Sequence, residues 1–224
     1  FGESIERVIA GPQRRSRVVT PKEKEMTAYH EAGHALVAHL LPDADPVTKV
    51  TIIARGNAGG YTKTLPEEDR YLVTRNQLEA RLAMAMGGRA AEEIVFDEVT
   101  TGAGNDLEQA TNIARTMITR YGMSETLGPR TFGKREELVF LGREISEQRD
   151  YSDSAAEAID DEVHRLIDDA YQTARRLLTD NMSRLERISK YLLQHETIDE
   201  QQVPEVFDAI PPDGDMSPAP MPAD

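Results

Sequence analysis

The stretch AYHEAGHALVAHLL, residues 28–41, decides the fold because it combines a helical pattern with three of the five histidines in the chain. Upstream, Thr20 and Pro21 are followed by acidic residues, which favour the first turn of a helix, where carboxylates meet the helix dipole. Pro42 ends the pattern because proline cannot continue a helix. The sequence therefore predicts one helix between Thr20 and Pro42. Its apolar stripe consists of Met26, Ala32, Ala35, Leu36 and Leu40.

Two of these histidines form the motif H-E-x-x-H, with Glu31 beside the first. His30 and His34 are four residues apart, so their rings lie on the same helix face and can bind one ion. Neutral imidazole suits zinc, and Glu31 could take the proton of a water that attacks a carbonyl. The pattern predicts a zinc site; the alternative is an amphipathic helix with two partly buried histidines. His39 points away from the pair and is interpreted as structural.

A third protein ligand is needed for a catalytic zinc site. A histidine six residues after His34 is ruled out, because that position is Leu40. A glutamate from a second helix is possible at Glu92 or Glu93. An aspartate is possible at Asp106, where a glycine-rich loop enters a helix and the exposed N–H groups favour a negative charge. Spacing alone does not choose between Asp106 and Glu93.

The remaining elements are mostly helical. Two strands joined by a glycine-rich turn are predicted at 47–55 and 61–64, rich in β-branched residues. A helix with an apolar stripe is predicted after the loop that begins at Thr100, and a long one at 152–180, capped by Ser152 or Ser154. The fold class is therefore mainly α, with a small β-hairpin beside the H-E-x-x-H helix. Further predicted elements are helices at 75–88 and 89–96 separated by Gly87 and Gly88, helices at about 181–195 and 199–208, and a strand at 137–142.

Composition excludes several functions. The net charge of −14 argues against nucleic acid as a partner, because phosphate binding requires a basic surface. The chain has no cysteine, so disulfides and thiolate metal sites are excluded. No window approaches 18 consecutive apolar residues, so no membrane span is expected. The chain begins at Phe1 rather than methionine and reads as a fragment of a longer protein.

Several segments together resemble the FtsH family, the membrane-anchored, ATP-dependent AAA+ zinc metalloproteases of bacteria and organelles. The segments are RVIAGP, AYHEAGHALVAHLLP, VTKVTIIARG with GGYT, MAMGGRAAEE, and TTGAGNDLEQATNIARTMITRYGMSETLGP, in the order of the family. The resemblance runs from residue 3 to about 130 and continues more weakly to about 208. It implies that residues 1–19 are the end of the AAA+ module and a linker, and that 20–209 form the peptidase domain. Residues 210–224 are proline-rich and expected to be disordered.

The resemblance also implies roles for site residues. His30, His34 and Asp106 would be the zinc ligands, one ion per chain, and Glu31 the catalytic base. Glu92 and Glu93 become helix-surface residues or supports behind the ligands. A homohexamer acting on protein substrates is implied, with the membrane reached through segments that precede this domain. The expected location is the cytoplasmic side of the inner membrane, and ATP with Mg²⁺ would bind only in the AAA+ module.

Two other motifs have alternative interpretations. GPRTFGKR, from Gly128 to Arg135, matches a phosphate loop in part, but Arg135 stands where serine or threonine must hold magnesium, so no nucleotide site is expected. Gly59, Gly60 and Tyr61 could let a substrate backbone approach and add as a strand, or could form an ordinary hairpin turn. The alternative functions are a stand-alone metallopeptidase using Glu93 and a non-catalytic assembly domain.

Overall fold

The structure is a computed structural model that describes residues 19–54, 59–66, 71–133 and 150–208. The predicted strand at 137–142 and the segments 1–18 and 209–224 lie outside the described residues. The elements in chain order are α1 Pro21–Leu40, β1 Val47–Thr51, β2 Tyr61–Thr64, α2 Arg75–Phe96, α3 Gly104–Thr119, α4 Asp153–Asp180, α5 Met182–His195, β3 Thr197–Asp199 and α6 Val203–Asp208. The mainly α fold with a small sheet is confirmed.

Helix α1 begins and ends where the sequence predicts. Thr20 Oγ1 accepts from the Glu23 N–H, and Glu23 Oε2 accepts from the Thr20 N–H, so the first turn is closed by a reciprocal cap. Every residue from 28 to 38 is buried. A helix buried on all sides belongs at the centre of a domain. Helix α2 packs along one side of α1, and α5 packs on another.

The prediction of a helix break at Gly87 and Gly88 is wrong, because α2 runs unbroken through both residues. Gly87 of α2 and Gly33 of α1 allow the two helices to approach with their backbones nearly in contact. A Cβ on Gly33 would lie 2.4 Å from the Gly87 carbonyl oxygen, and a Cβ on Gly87 would lie 2.7 Å from the Gly33 carbonyl oxygen. The helical conformation costs glycine about 1 kcal/mol relative to alanine, but close packing offsets it.

The sheet has three antiparallel strands in the order β2-β1-β3. The predicted hairpin of β1 and β2 is confirmed, although β1 ends at Thr51 rather than near 55. Strand β3 was not predicted, because three residues are too few to show an alternating pattern. Its Ile198 is fully buried opposite Val50. The helix expected at 199–208 is correspondingly shorter: a 3₁₀ turn at Glu200–Gln202 leads into α6.

Helix α4 confirms the long helix predicted at 152–180, and it packs along α2 and α3. Ser152 caps it, since Ser152 Oγ accepts from the Ala155 N–H at 3.3 Å. The buried side chains of α4 recur at steps of three or four residues. They include Ile159, Val163, Leu166, Ala170, Ala174 and Leu178. In the part of the chain that the structure describes, no helix is both long and apolar enough to cross a membrane.

Glu162 joins α4 to the loop that follows α3. Its carboxylate accepts from Ser124 Oγ at 2.7 Å and Thr126 Oγ1 at 3.2 Å, and from the Arg165 guanidinium at 3.0 and 3.1 Å. The bonds from Arg165 are the largest cause that lowers the pKa of Glu162, to about 2. The Glu162 carboxylate is therefore ionised in the folded chain at neutral pH.

We expect Gly33→Ala to lower the free energy of unfolding by about 1–3 kcal/mol or more, because the new methyl group forces α1 and α2 apart. Gly104→Ala is the control: a Cβ there meets no atom within 4 Å, and the residue is helical. The control should be neutral or stabilising by up to about 1 kcal/mol. Urea unfolding followed by circular dichroism measures both, and equal effects would contradict the close-packing argument.

We expect Glu162→Gln to lower the free energy of unfolding by about 1–3 kcal/mol at pH 7. The folded-state pKa is depressed from 4.5 to about 2, so the stabilising contribution is complete above pH 4.5 and is lost as the pH falls toward 2. The difference between the two proteins should therefore shrink when urea unfolding is repeated near pH 3.5. Glu157→Gln, an exposed position on α4, should show no such difference at either pH.

Candidate metal centre

The two histidine rings of α1 face one point. His30 Nε2 and His34 Nε2 are 3.0 Å apart, and both residues are buried. Each ring is held through its other nitrogen. His34 Nδ1 donates to the Met84 carbonyl oxygen at 2.7 Å, and His30 Nδ1 donates to Glu92 Oε1 at 2.8 Å. The Gly88 N–H also lies 3.3 Å from His34 Nδ1. The Met84 carbonyl is closer and can only accept a hydrogen bond, so His34 Nδ1 carries the proton. Both Nε2 lone pairs are then available to a metal.

Asp106 completes the group from the first turn of α3. Its Oδ2 is 3.3 Å from His30 Nε2 and 3.4 Å from His34 Nε2. These three residues form a group whose donor atoms all lie within 4.8 Å of one another. Ligands about 2.0–2.1 Å from a tetrahedral zinc ion are about 3.3 Å from each other. The two separations from Asp106 match that edge length and the 3.0 Å between the two Nε2 atoms is slightly shorter, so the residues fit a tetrahedral zinc site with one position left open.

Glu92 links the first histidine to the loop that precedes α3 and Asp106. Its carboxylate is buried and accepts from the Thr100 N–H at 2.8 Å, from Thr100 Oγ1 at 3.0 Å and from His30 Nδ1. Thr100 Oγ1 in turn accepts from the Gly102 N–H. Burial alone would raise the pKa of Glu92, but the bonds from His30 and Thr100 outweigh it and lower that pKa. Glu92 is therefore an ionised support behind the ligands rather than a surface residue.

The charges of the group stabilise each other. Burial opposes a charge on His30, but its bonds to Asp106 and Glu92 raise its pKa to about 10. Burial also opposes the charge on Asp106, and the bonds from the two histidines outweigh it, so the pKa of Asp106 is well below its usual range. A proton on His30 and a metal ion therefore compete for the same place beside the Asp106 carboxylate.

Glu31 lies beside this group and against strand β2. It is buried, and Thr62 Oγ1 donates to its Oε2 at 2.9 Å. Burial is the largest influence on Glu31 and raises its pKa, while the two histidines and Thr62 act in the opposite direction. A buried carboxylate with a raised pKa, next to three converging donor atoms, is a stronger base than an exposed glutamate and lies where it can accept a proton.

Residues 17–206 match the sequence model of peptidase family M41. The chain belongs to this family. Among curated M41-like relatives, the ATP-dependent zinc metalloprotease FtsH 1 of Thermomicrobium roseum is 61% identical over 206 residues, which are 92% of this chain and 32% of that protein. The FtsH 1 of Sphaerobacter thermophilus is 60% identical over 206 residues, which are again 92% of this chain and 32% of that protein. The FtsH of Rubrobacter xylanophilus is 56% identical over 201 residues, which are 90% of this chain and 31% of that protein. The chain thus spans about a third of the length of these relatives.

The alternative third ligand does not join the group in this M41 domain. Glu93 points away, where its Oε2 accepts from the Tyr171 hydroxyl of α4. His39 bonds to Asp208 Oδ1 at 2.9 Å and packs on Phe207, so its structural interpretation agrees with the geometry. Of the phosphate-loop match, Gly128–Gly133 is described and contains two glycines with positive φ, while residues 134 and 135 lie outside the described part.

Three supports of the M41 site were not found from the sequence. Gly88 packs directly on the rings: a Cβ there would lie 2.5 Å from both His30 Cε1 and His34 Nε2. Thr62 and the Met84 carbonyl make contacts that only the folded chain brings together. The paired glycines at 87 and 88 were the one available signal, since a glycine inside a helical pattern can mark a close packing contact instead of a break.

We expect Glu92→Gln to weaken zinc affinity by about 10- to 100-fold, because a neutral amide holds the His30 ring less firmly and no longer balances its charge. Glu93→Gln is the matched control. It makes the same change at the neighbouring residue, whose carboxylate contacts Tyr171 instead of a histidine. Competition with a fluorescent zinc chelator measures both affinities. Equal losses in the two variants would contradict the assigned role of Glu92.

Proposed function

We propose that this chain is the zinc-dependent endopeptidase domain of an ATP-dependent membrane protease and that it hydrolyses peptide bonds of unfolded or membrane-extracted proteins. The observation that carries the proposal is the convergence of His30, His34 and Asp106 at tetrahedral spacing, with the Glu31 carboxylate beside them. Membership of M41 and the names of the relatives, ATP-dependent zinc metalloproteases, support the same activity.

In this proposal His30 Nε2, His34 Nε2 and Asp106 Oδ2 hold one zinc ion per chain. Zinc, when bound, polarises the scissile carbonyl and lowers the pKa of water to near neutral. Glu92 and the Met84 carbonyl keep each imidazole in the tautomer that leaves Nε2 free to bind. Gly88 leaves the space that the two rings occupy.

Glu31 acts as the general base. Its Oε2 accepts the bond from Thr62, so we assign Oε1 to take up the proton of the attacking water. The same carboxyl then gives that proton to the departing amine nitrogen, which leaves Glu31 ionised for the next turnover. Burial makes the carboxylate a stronger base than an exposed glutamate would be.

The substrate chain is proposed to add to the sheet beside β2. Strand β2 is an edge strand in the order β2-β1-β3 among the described residues, and it carries Thr62 next to Glu31. Addition of a strand uses main-chain hydrogen bonds and therefore accepts many sequences. Gly59 is exposed and Tyr61 half-buried, as contact with a substrate requires. Position 60 must be glycine for a separate reason: a Cβ there would lie 2.5 Å from the Thr51 carbonyl oxygen.

Assembly and energy supply are assigned to the protein as a whole. The relatives are named as ATP-dependent, and this chain spans about a third of their length. We propose that ATP and Mg²⁺ act in an AAA+ module outside the domain, and that a membrane anchor in that protein holds the domain on the cytoplasmic side of the inner membrane. Six copies would form a closed ring, which requires heterologous contacts with cyclic symmetry.

We expect about one zinc per purified chain, and Asp106→Ala should reduce that content severalfold because only two ligands remain. Glu93→Ala is the control and should keep full zinc content. Inductively coupled plasma mass spectrometry after extensive dialysis measures both. Loss of zinc in Glu93→Ala with retention in Asp106→Ala would overturn the ligand assignment.

We expect Glu31→Gln to keep its zinc and to lose hydrolysis of unfolded casein by a factor of about 10² or more, because the amide cannot accept the proton. The rate is measured with fluorescein-labelled casein at saturating zinc, and zinc content is measured on the same sample. Cleavage at the wild-type rate would exclude Glu31 as the base.

A further inference from the structure

We infer that Thr62 is a positioning residue that fixes the catalytic base while its own backbone forms part of the edge to which a substrate chain adds. The inference rests on the proposed function and extends it to a residue outside the H-E-x-x-H motif. It joins two features of β2. One is the contact of the Thr62 hydroxyl with Glu31, and the other is the edge opposite β1, which no further strand covers among the described residues.

The first step is the contact with Glu31. Thr62 Oγ1 donates to Glu31 Oε2 at 2.9 Å and is 3.1 Å from the Glu31 carbonyl oxygen. Only 5% of Glu31 is exposed, so water contributes little to the orientation of its carboxylate. A buried hydrogen bond to a charged acceptor is among the stronger ones in proteins. The hydroxyl therefore selects one rotamer of Glu31.

The second step is the space that surrounds the same carboxylate. Gly60 immediately precedes β2, two residues before Thr62, and both residues lie against the Glu31 side chain. A Cβ on Gly60 would lie 2.9 Å from both Glu31 Cγ and Oε1. The glutamate side chain thus packs on Gly60 and is held at its end by Thr62, which leaves it little freedom to move.

The third step is the direction of the β2 backbone. The Lys63 carbonyl accepts from Thr48 Oγ1 at 3.3 Å, and the Leu65 N–H donates to the Pro46 carbonyl at 3.1 Å, so residues 63 and 65 face β1. Backbone groups of successive strand residues point to opposite sides. The N–H and C=O of Thr62 consequently face the edge away from β1, where the described residues place no further strand.

These steps give Thr62 two separable tasks. Its backbone can pair with a substrate strand, and its side chain holds the group that takes up the proton. A change of side chain alone should then alter turnover and leave substrate binding intact. A misplacement of about 1 Å in a reacting group is sufficient to cost about 10²-fold in rate.

The kinetic test compares Thr62→Val with Thr62→Ser in the full chain at saturating zinc. We expect Thr62→Val to lower kcat for labelled casein by about 10- to 100-fold, with KM within about threefold of wild type and zinc content unchanged. Thr62→Ser keeps the hydroxyl and should recover most of the rate. Thr48→Val is the control, because it also removes a hydroxyl contact to β2 but from the side of β1, and it should stay within about twofold of wild type.

A second measurement does not depend on activity. A double-mutant cycle of Thr62→Val and Glu31→Ala, in metal-free protein unfolded by urea, should give a coupling of about five- to tenfold in the unfolding equilibrium constant. The corresponding cycle of Thr48→Val and Glu31→Ala should give none. Additivity in the Thr62 cycle would overturn the inference, as would a Thr62→Val protein with normal kcat or one in which serine does not restore it.

The two hypotheses fail in different ways. A fully active Glu31→Gln protein would overturn the proposed base and this inference with it. An inactive Glu31→Gln protein combined with a fully active Thr62→Val protein would overturn this inference alone.

Discussion

The close approach of α1 and α2 is the constraint on which the rest of the domain depends. Gly33 and Gly87 bring the two backbones together, and Gly88, the next residue, faces the imidazoles of α1. At this separation the Met84 carbonyl and the Glu92 carboxylate of α2 reach the Nδ1 atoms of His34 and His30. A wider gap would disconnect both rings from their supports. The small residues inside the histidine motif are therefore as necessary to its geometry as the histidines.

A series of polar contacts connects this helix pair to the third ligand. Glu92 connects His30 to Thr100, Thr100 starts the turn that leads to Asp106, and Asp106 returns to both histidines. Hydrogen bonds together with the chain segment from Thr100 to Asp106 thus surround the metal position. On the other side, β2 supports Glu31. His30, Glu31 and His34 all belong to α1, but α2 supports the two histidine rings and β2 supports the glutamate, so a substitution on β2 can affect the base without the ligands.

Most of the helices and the motif residues could be predicted, because periodicity, caps and the H-E-x-x-H spacing are local signals. The choice between Asp106 and Glu93 could not be made from spacing, since it depends on which face of α2 turns toward α1. The break assigned at Gly87 was wrong because a sequence does not show that a neighbouring backbone fills the place of the missing side chain. Strand β3 and the bond from Thr62 were missed for a related reason: both depend on contacts between distant residues, and neither leaves a periodic trace.

The pairing of β3 with β1 joins residues 197–199 to residues 49–51, with most of the described domain between them in the chain. Strand β1 therefore obtains its second neighbour only after almost the whole domain has been synthesised. Contacts of such large sequence separation form late in folding, because closing a long loop costs entropy before any contact compensates it. During translation, a nascent chain would have the histidine helix and the β2 edge long before the sheet is complete. The sheet that supports Glu31 through β2 is thus completed only after residue 199 has been synthesised, whereas His30, His34 and Asp106 all precede β3.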